Sequence, residues 1–470
     1  MKIAFLHYHL KPGGVTTVIR QQIRALKDNC EILIITGEKP QAELGVKTIV
    51  IPEIAYDQPG IEQPLPEISG KKIIKAISDH WPSGCDVLHV HNPLLSKNQQ
   101  LLKILKILSR NNVRLLLQIH DFAEDGRPWV YDADEDYPSN CHYSVINSRD
   151  YHILLKSGLN KSGLHLLINM VTPFNVLPVK KISMDYVLYP VRAIRRKNIG
   201  EAILLSLFFP GNDSLAITLP PNSIRDWHYY NLWKQFAKDS HLNVIFEASE
   251  HHAFLDLIQS AKRIITTSIS EGFGFSFLEP WTAGQMLSGR HLADICTDFS
   301  AKDMALDHLY DNILIPINAI DQKQFFDQWK SCILENAATF KITVSETAID
   351  RAYKNMTSGN DIDFGILDEH FQKIIITSIQ SDKKFKNRII ALNPFLSDFI
   401  QTQNNSDIIN HNRAIVEKKF SQNVYQNQLL RTYQKVIDHR VTHQIDKKSL
   451  AEKFLNPDNF SLLKWSHSHV

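Results

Sequence analysis

The sequence predicts an α/β protein made of two successive domains, each with a parallel β-sheet. Short apolar runs alternate with helical patterns along the first part of the chain. The same alternation restarts after a proline- and lysine-containing break at 173–182. The 470 residues exceed one ordinary domain, and a hydrophobic content of 43% can fill two cores.

Strands are predicted where short apolar runs end at polar or glycine residues. In the first domain these runs are 3–6, 31–36, 86–90, 114–119, 144–146 and 165–168, and in the second they are 186–191, 215–219, 243–246, 263–267 and 312–315. Helical spacing of apolar residues between strands indicates βαβ units, so both domains are predicted to be Rossmann-like. Apolar residues within 413–438 predict one further helix. The predicted domains are 1–178 and 179–390, with C-terminal helices over 391–440 and a polar tail over 441–470.

The bulk composition excludes several classes of protein. A net charge of +2, from 52 basic and 50 acidic residues, gives no broad attraction for nucleic acid. The five cysteines are odd in number and contain no CxxC pair, so neither a zinc site nor a disulfide framework is expected. The N-terminal apolar run is too short for a signal peptide, and no run approaches a membrane span. We therefore expect a cytoplasmic protein with at most weak membrane-surface contact.

The most informative segment is 271–279, which has a glutamate at each end and the glycines Gly272 and Gly274 between them. It follows the predicted strand 263–267 and leads into a predicted helix. Glycines let a ligand approach the backbone, and the N–H groups at a helix start suit a phosphate or a sugar hydroxyl. We interpret the segment as a ligand-binding loop, and a plain strand-to-helix turn with solvated glutamates is the alternative.

Two further turns follow predicted strands. Arg192 and Lys197 lie in a loop at the carboxyl end of the strand 186–191, where open α/β sheets bind ligands. Arginine and lysine there can hold phosphate oxygens, although a solvated basic turn has the same pattern. Gly13 and Gly14 form a turn after the first strand, where a glycine turn commonly binds an anion, although a plain tight turn has the same pattern. No GxGxxG pattern supports dinucleotide binding.

Together these segments resemble glycosyltransferase family 4, a large family of retaining enzymes with the GT-B fold. The resemblance covers roughly residues 1–285 and is carried, in the family's order, by Gly13-Gly14-Val15, His120-Asp121, Asn169-Met170-Val171, Arg192 with Lys197, and the Glu-x7-Glu segment Glu271 to Glu279. It implies GT-B architecture, with two facing Rossmann-like domains, a cleft between them and a C-terminal helix that crosses back. The first domain would be the acceptor side and the second the nucleotide-sugar side.

The resemblance also implies a role for each candidate residue. Arg192 and Lys197 would hold the diphosphate, Glu271 would contact the transferred hexose, and Glu279 would bind the donor ribose. His120 would lie near the hexose, which makes the catalytic set Arg192, Lys197, Glu271 and His120. The donor-binding set is Gly13, Gly14, Gly274, Phe275, Ser276, Phe277 and Glu279.

The chemistry of such a transfer agrees with these residue types. Charge builds on the departing diphosphate, and fixed cations stabilise that transition state, so we expect neither a metal ion nor another cofactor. The leaving phosphate can accept the acceptor's proton, which retains the anomeric configuration. The expected partners are a nucleotide-sugar donor and a sugar, small-molecule or lipid-linked acceptor, with no nucleic acid.

The chain also departs from the family pattern. Pro280-Trp281 stands where small residues are usual, and Ser288 to Leu292 replaces an apolar strand and a Gly-Gly turn. Arg290 is open between a phosphate contact and a structural surface role. Asn198 replaces a glycine, a mild change because asparagine tolerates left-handed backbone.

Several other features remain as alternatives. Asp132 and Asp134 match a metal-binding DxD string but lack a preceding strand, and the pairs His7/His9 and His89/His91 have a spacing that a zinc site could use. The loop 121–137, with Arg127, Trp129 and Tyr131, is a candidate acceptor element or a surface loop. The basic helix predicted over 97–110 packs on a sheet or lies on a membrane. The rival functions are a GT-B-fold sugar-nucleotide epimerase or phosphorylase and a non-catalytic nucleotide-sugar-binding protein.

Overall fold

The protein is represented by a computed structural model that describes residues 1–174, 180–211, 213–399 and 405–466. Its chain divides into two compact units. The first comprises Met1–Met170, Ala337–Ile342 and Phe420–Leu455, and the second comprises Val171–Asn336, Thr343–Lys419 and Asn456–Val470. The predicted domain boundary at 178 and residues 175–179 of the predicted linker lie outside the described residues.

The first unit contains a parallel sheet in the order β3-β2-β1-β4-β5-β6-β7. Its strands are β1 (Lys2–His7), β2 (Glu31–Thr36), β3 (Lys47–Val50), β4 (Val87–His91), β5 (Leu115–Gln118), β6 (His142–Val145) and β7 (Leu164–Leu166). The helices that follow strands of this sheet are α1 (Gly14–Leu26), α2 (Pro66–His80), α3 (Leu101–Arg110) and α4 (Ser148–Lys156). The six predicted strands are present. The edge strand β3 was missed because none of its side chains is fully buried.

The second unit contains a parallel sheet in the order β10-β9-β8-β11-β12. Its strands are β8 (Tyr186–Arg192), β9 (Ser214–Leu219), β10 (Val244–Ile245), β11 (Arg263–Thr266) and β12 (Leu287–Gly289). The strand predicted at 312–315 lies outside this sheet. It corresponds to β13 (Leu314–Pro316), which pairs antiparallel with β14 (Asp361–Asp363).

Helices surround the second sheet and continue beyond it. They are α5 (Ile199–Ser206), α6 (Ile224–Asp239), α7 (Phe254–Ser260), α8 (Phe275–Thr282), α9 (Ala293–Ser300), α10 (Gln322–Thr339), α11 (Glu346–Met356), α12 (Glu369–Ser381), α13 (Lys383–Leu392) and α14 (Ser406–Lys419). The last residues of α10 belong to the first unit.

The C-terminal region forms α15 (Gln422–Asp438), α16 (Lys447–Phe454) and α17 (Leu462–Trp465). Helix α15 packs in the core of the first unit, where Tyr425, Leu429 and Tyr433 are buried, so the predicted helix does return to the first domain. The region 441–470 was predicted as a polar tail, but α16 buries Leu450 and α17 buries Trp465. These helices have only eight and four residues, which is too short for a helical period of apolar residues to stand out in the sequence.

The order of the strands locates a binding edge on each sheet. In an open parallel sheet, ligands bind beyond the carboxyl ends of the strands where the strand order reverses. In the first sheet this point lies between β1 and β4, and in the second it lies between β8 and β11. The loops that carry Gly13 and Gly14, and those that carry Lys197 and Glu271, therefore leave the sheets at these two points.

Helix α3 settles one alternative. It begins at Leu101 rather than at Lys97. Its apolar face, which includes Leu102, Ile104 and Leu105, is buried. The apolar face is therefore not available to lie on a membrane. None of the helices in the described part of the chain combines the length and the apolar character that a bilayer crossing requires.

Candidate functional site

The turn after β8 is held rigidly on the second sheet. The Tyr189 hydroxyl donates to the backbone oxygen of Lys197 at 2.6 Å, and the Thr267 hydroxyl donates to the same oxygen at 3.1 Å. Asn198 has left-handed backbone with φ of 50° and caps α5 by accepting from the Glu201 N–H. The substitution of asparagine for glycine is therefore accommodated as the sequence predicted.

Lys197 and Glu271 form an ion pair between the two loops at the reversal point. Their side chains are 14% and 8% exposed, so the pair is largely shielded from water. Burial alone raises the pKa of Glu271, but Lys197, Arg196 and the Ser268 hydroxyl outweigh it and hold the pKa below its ordinary value. Glu271 is accordingly a firmly ionised carboxylate.

The glycine before α8 has a conformation that other residues rarely adopt. Gly274 has φ of 88°, and a Cβ on it would lie 2.8 Å from Ile295 Cγ2 and 3.1 Å from Phe277 Cδ2. This tight turn starts α8 with no side-chain cap. The segment thus requires glycine for its own geometry as well as for any approach of a ligand.

The residues after Gly274 divide into core and surface. Phe277 is fully buried, and its N–H donates to the Gly274 oxygen at 2.9 Å. Phe275 is half-buried and packs edge-on against Phe273. The Ser276 hydroxyl is buried and has no hydrogen-bond partner among the described residues. Ser276 therefore offers an unused polar atom in the first turn of α8.

Glu279 occupies a different environment from Glu271. It is half-buried on α8, and its carboxylate makes no hydrogen bond or ion pair within the described residues. Burial raises its pKa to about 7. A carboxylate that is desolvated without a partner favours a ligand that brings hydrogen-bond donors to it.

The arginines around this turn have distinct roles. Arg192 donates to the Pro220 backbone oxygen at 2.9 Å and is half-buried. Arg195 is tied to both oxygens of Glu369 at 2.6 Å and stacks on Tyr229 with its guanidinium 4.0 Å from the ring centre. Arg195 is therefore a structural cation of the second unit.

Arg290 belongs to a buried network rather than to a surface. Its guanidinium donates to Glu201 at 2.9 and 2.6 Å and to Asp363 at 2.8 Å through each of two nitrogens. Tyr310 also donates to Glu201 at 2.8 Å. Both carboxylates are satisfied by these contacts. Of the two roles left open for Arg290, the structure favours the structural one, although the side chain is buried rather than at the surface.

The other departures from the family pattern are also structural. Trp281 is fully buried and donates from its indole N–H to the Phe277 oxygen at 2.7 Å. Gly289 has φ of 135° and lies so close to the Thr266 backbone that a side chain would collide with it. The absence of a side chain at Gly289 therefore allows β12 to pair with β11, where Gly289 is opposite Thr266.

In the first unit, the Gly13–Gly14 turn is exposed and uncrowded. A Cβ on Gly14 would meet no atom within 4 Å, and one on Gly13 would meet only the Lys11 oxygen at 4.0 Å. Packing alone does not require glycine at either position. The proposed contact of these residues with a ligand stays a prediction.

His120 follows β5 and lies in a chain of neutral histidines. Its Nε2 is 3.0 Å from His91 Nδ1, and the two rings stack at 5.3 Å. His91 in turn stacks on His89 at 4.5 Å. Burial lowers the pKa of His120 to about 4 and that of His89 to about 3. His120 is therefore an uncharged hydrogen-bonding group near neutral pH.

The metal alternatives find no support in geometry. Asp132 accepts from the Asp134 and Glu135 N–H groups at 3.0 and 3.1 Å, and Asp134 pairs with Lys341 at 2.7 Å. Within residues 1–174, 180–211, 213–399 and 405–466, no three histidine, cysteine, aspartate or glutamate side chains are arranged to hold a metal ion. The acidic loop is instead bound by Lys447 of α16, which donates to backbone oxygens of Asp132 and Glu135.

Some residues at these edges were not singled out from sequence. In the second unit they are Tyr189, Thr267 and Ser268, and in the first they are Tyr56, Asn92 and Lys97. Asn92 has φ of 55° and accepts from the His120 and Asp121 N–H groups at 3.2 and 3.0 Å. Its position directly after β4 was the available signal, because polar residues at that end of a strand are candidates in any parallel sheet.

Comparisons with known proteins agree with this architecture. No protein-family model matches the chain. It is 24% identical over 515 aligned positions to a mannosylglucosyl-3-phosphoglycerate synthase from Petrotoga mobilis, and the match covers 97% of this chain and 98% of that protein.

Solved structures resemble most of the chain as well. HepE from Anabaena in complex with UDP-glucose is 13% identical with a TM-score of 0.52, covering 92% of this chain and 99% of that one. Sucrose-phosphate synthase from Thermosynechococcus elongatus is 14% identical with a TM-score of 0.52, covering 92% and 98%. The α/β class with two Rossmann-like units, as in GT-B glycosyltransferases, is thus confirmed.

Proposed function

We propose that this protein is a retaining, metal-independent hexosyltransferase of the family 4 type that uses a nucleotide-sugar donor. The observation that carries the proposal is the arrangement at the reversal point of the second sheet. There, Lys197 and ionised Glu271 adjoin the start of an α-helix. On that helix the Ser276 hydroxyl and the Glu279 carboxylate have no partner among the residues that the structure describes. Cations, hydroxyl donors and carboxylate acceptors are the groups that a sugar diphosphate requires.

Each residue has a task in this proposal. Lys197 and Arg192 hold the diphosphate, and they stabilise the charge that it gains as the bond to the sugar breaks. Glu271 accepts from hexose hydroxyls and keeps Lys197 in place before the donor arrives. Glu279 accepts from the ribose hydroxyls. The leaving phosphate takes the proton of the acceptor hydroxyl, so no carboxylate nucleophile is needed.

The acceptor is assigned to the first unit, near His120 and near Gly13 and Gly14, which also approach the donor diphosphate. A neutral His120 suits a hydrogen bond to a sugar hydroxyl, because it neither repels nor captures a charge there. The Petrotoga mobilis relative is named for a product that contains a 3-phosphoglycerate group. Glucosyl-3-phosphoglycerate is therefore the first acceptor to test. All five cysteines are free thiols, which favours the cytoplasm as the compartment.

The test is a screen of UDP-, GDP- and ADP-sugars for release of nucleoside diphosphate, with and without this acceptor. The anomeric configuration of the product is then read from its proton coupling by NMR. We expect one donor to react with retention, and the rate to persist in excess EDTA. An inverted product would exclude the retaining mechanism. Loss of turnover in EDTA with recovery in Mn²⁺ would exclude metal independence.

A further inference from the structure

Lys97 lies in the loop after β4, at the reversal point of the first sheet. The loop is fixed on several sides. The Tyr8 hydroxyl donates to the Leu95 oxygen at 2.9 Å, the Ser96 N–H donates to the Val130 oxygen at 2.8 Å, and Asn98 donates to the Ala55 oxygen at 2.7 Å. Its side chain is therefore presented from a preorganised backbone.

The Lys97 ammonium has an aromatic environment. Its Nζ donates to the Tyr56 hydroxyl at 3.1 Å and lies 4.7 Å from the centre of the Tyr56 ring. That ring also packs edge-on against His9 at 4.9 Å. The Lys11 N–H donates to His9 Nδ1 at 3.3 Å, so this cluster adjoins the turn that leads to Gly13.

No carboxylate forms an ion pair with Lys97 among the residues that the structure describes. The carboxylate that acts on Lys97 over a longer range is Asp121. Asp121 forms an ion pair with Arg127 at 2.5 Å and accepts a hydrogen bond from the Asn92 amide at 3.3 Å. Lys97, Arg127 and Asp121 are thus two cations and one carboxylate. Glu38, which also acts on Tyr56 and His9, forms an ion pair with Lys11 at 2.6 Å. Burial is the main cause that lowers the pKa of Lys97, and Arg127 lowers it further.

A half-buried ammonium without a counter-ion is costly to the folded protein. Such a group is retained more readily where a ligand supplies the missing charge. Lys106 on α3 shows the ordinary alternative, since it pairs with Glu135 at 2.5 Å. Lys97 differs from it by facing a hydroxyl and a ring instead of a carboxylate.

We propose that Lys97, held against Tyr56 and beside the Asp121–Arg127 pair, binds an anionic group, a phosphate monoester or a carboxylate, on the acceptor. The inference rests on the proposed function, because it assigns this cluster to the acceptor of the transfer. The anion replaces the absent counter-ion, and it orients the acceptor hydroxyl rather than taking part in bond cleavage. Lys97 is therefore a specificity-determining residue.

The experiment uses three acceptors that share a glucosyl group: glucosyl-3-phosphoglycerate with phosphate and carboxylate, glucosylglycerate with carboxylate alone, and glucosylglycerol with neither. Binding to the full chain is measured by calorimetry without donor. For Lys97→Met, we expect the Kd of the acceptor that carries the recognised anion to rise by about 10-fold to 100-fold. The Kd of glucosylglycerol should change less than twofold. If glucosylglycerate and glucosyl-3-phosphoglycerate lose affinity equally, the carboxylate is the group that Lys97 binds. If only glucosyl-3-phosphoglycerate loses affinity, the phosphate is that group.

Two further variants separate this role from a structural one. Lys103→Met removes an exposed lysine of α3 and should leave all three Kd values unchanged. Lys97→Arg keeps the charge and should recover part of the lost affinity. The Tm of Lys97→Met should equal or exceed that of the wild type, because an uncompensated charge is removed. Unchanged binding of both anionic acceptors, or an equal loss for all three, overturns the inference.

The outcome is separable from that of the proposed function. Binding of the anionic acceptors needs no donor, whereas transfer does. A Lys97-dependent anion affinity in a protein that cleaves no nucleotide-sugar would overturn the transferase but keep the anion site. Turnover with an anionic acceptor whose KM is the same in Lys97→Met and wild type would keep the transferase and overturn the site.

Discussion

The two glutamates that end the segment 271–279 have opposite electrostatic surroundings. Glu271 is paired with Lys197, and its pKa lies below the ordinary value of a glutamate. Glu279 has no partner within the described residues, and its pKa is raised to about 7. Two glutamates at the ends of one short segment therefore have opposite charge environments, one paired and one unpaired within the described residues.

The difference indicates what each position gains from a ligand. Glu271 already has its charge balanced, so a ligand must compete for or share Lys197. An ammonium group carries three donors, which allows Lys197 to hold Glu271 and a phosphate oxygen together. A ligand that binds Glu279 breaks no existing contact of its carboxylate within the described residues, and the cost of removing water from that carboxylate has already been met in the free protein. In the proposed mechanism, the end at Glu271 therefore acts in the chemical step and the end at Glu279 contributes to donor affinity.

The largest effect is expected from Lys197→Ala. Removing a preorganised charge that faces the leaving diphosphate typically lowers kcat by about 10²-fold to 10³-fold. The KM for donor should change much less, because the interaction is stronger in the transition state than in the ground state. Single-turnover rates with the best donor of the screen measure this directly.

A matched control for that variant is Lys238→Ala, which removes an exposed lysine of α6 in the same unit. It should leave both kcat and KM unchanged. If Lys197→Ala raises KM alone while its single-turnover rate equals that of the wild type, the lysine is a binding group and the catalytic assignment is wrong.

Stability provides a second test of the paired end. Lys197→Met leaves Glu271 buried without its cation, and breaking a buried pair from one side costs on the order of 3–5 kcal/mol. The double variant Lys197→Met/Glu271→Gln removes the stranded charge and should regain most of that loss. Chemical denaturation measures both free energies of unfolding. Equal destabilisation by the single and double variants would show that the pair is not the cause.

At the unpaired end, Glu279→Gln should weaken donor binding. Losing a charged hydrogen-bond acceptor costs about 1.5–3 kcal/mol, which corresponds to roughly a 10-fold rise in Kd or more. Unlike Lys197→Met, the variant should not destabilise the fold at pH 8, because Glu279 has no partner to lose in the described part of the chain. Calorimetry with the nucleotide-sugar and a thermal melt test both parts. An unchanged donor Kd would remove Glu279 from the site.

The sheets were predictable because their strands are buried on both faces and appear as continuous apolar runs, as in β1 and β5. The short strands β12 and β14 lack that signal. Likewise, the glycines and charged residues of the segment 271–279 predicted a loop at a strand end. Gly274 shows why, since its backbone conformation favours glycine.

The pairings were not predictable from sequence. Lys197 and Glu271 meet only because β8 and β11 are neighbours in the sheet, although 74 residues separate them. A phosphate contact was left open for Arg290 because its partners Glu201 and Asp363 are also distant in the chain, 89 and 73 residues away. Lys97 was not predicted as a ligand-binding residue for the same reason, since Tyr56 and Arg127 come from two other loops. Charge near a strand end is visible in sequence, whereas its compensation is a property of the fold.

The smallest effect expected is a pH dependence of donor binding that belongs to Glu279 alone. In the free protein its pKa is about 7, and hydrogen bonds from ribose hydroxyls favour the ionised form, so the pKa falls in the complex. Donor affinity is then fully present above pH 7 and is lost as the pH falls through that value. The Kd should rise about tenfold from pH 8 to pH 6. Glu271 contributes nothing in this window, because its pKa lies below the ordinary value.

The same titration acts on stability with the opposite sign. The folded protein holds the Glu279 proton more tightly than the unfolded chain, so its contribution to the free energy of unfolding falls as the pH rises from about 4.5 to about 7. Glu279→Gln should flatten the pH dependence of the donor Kd and raise the Tm at pH 8 relative to wild type. Calorimetry and melting across pH 6–8 separate the two effects. A pH-dependent Kd that persists in Glu279→Gln would assign the titration to another group, and the contrast between the two glutamates would then not govern donor binding.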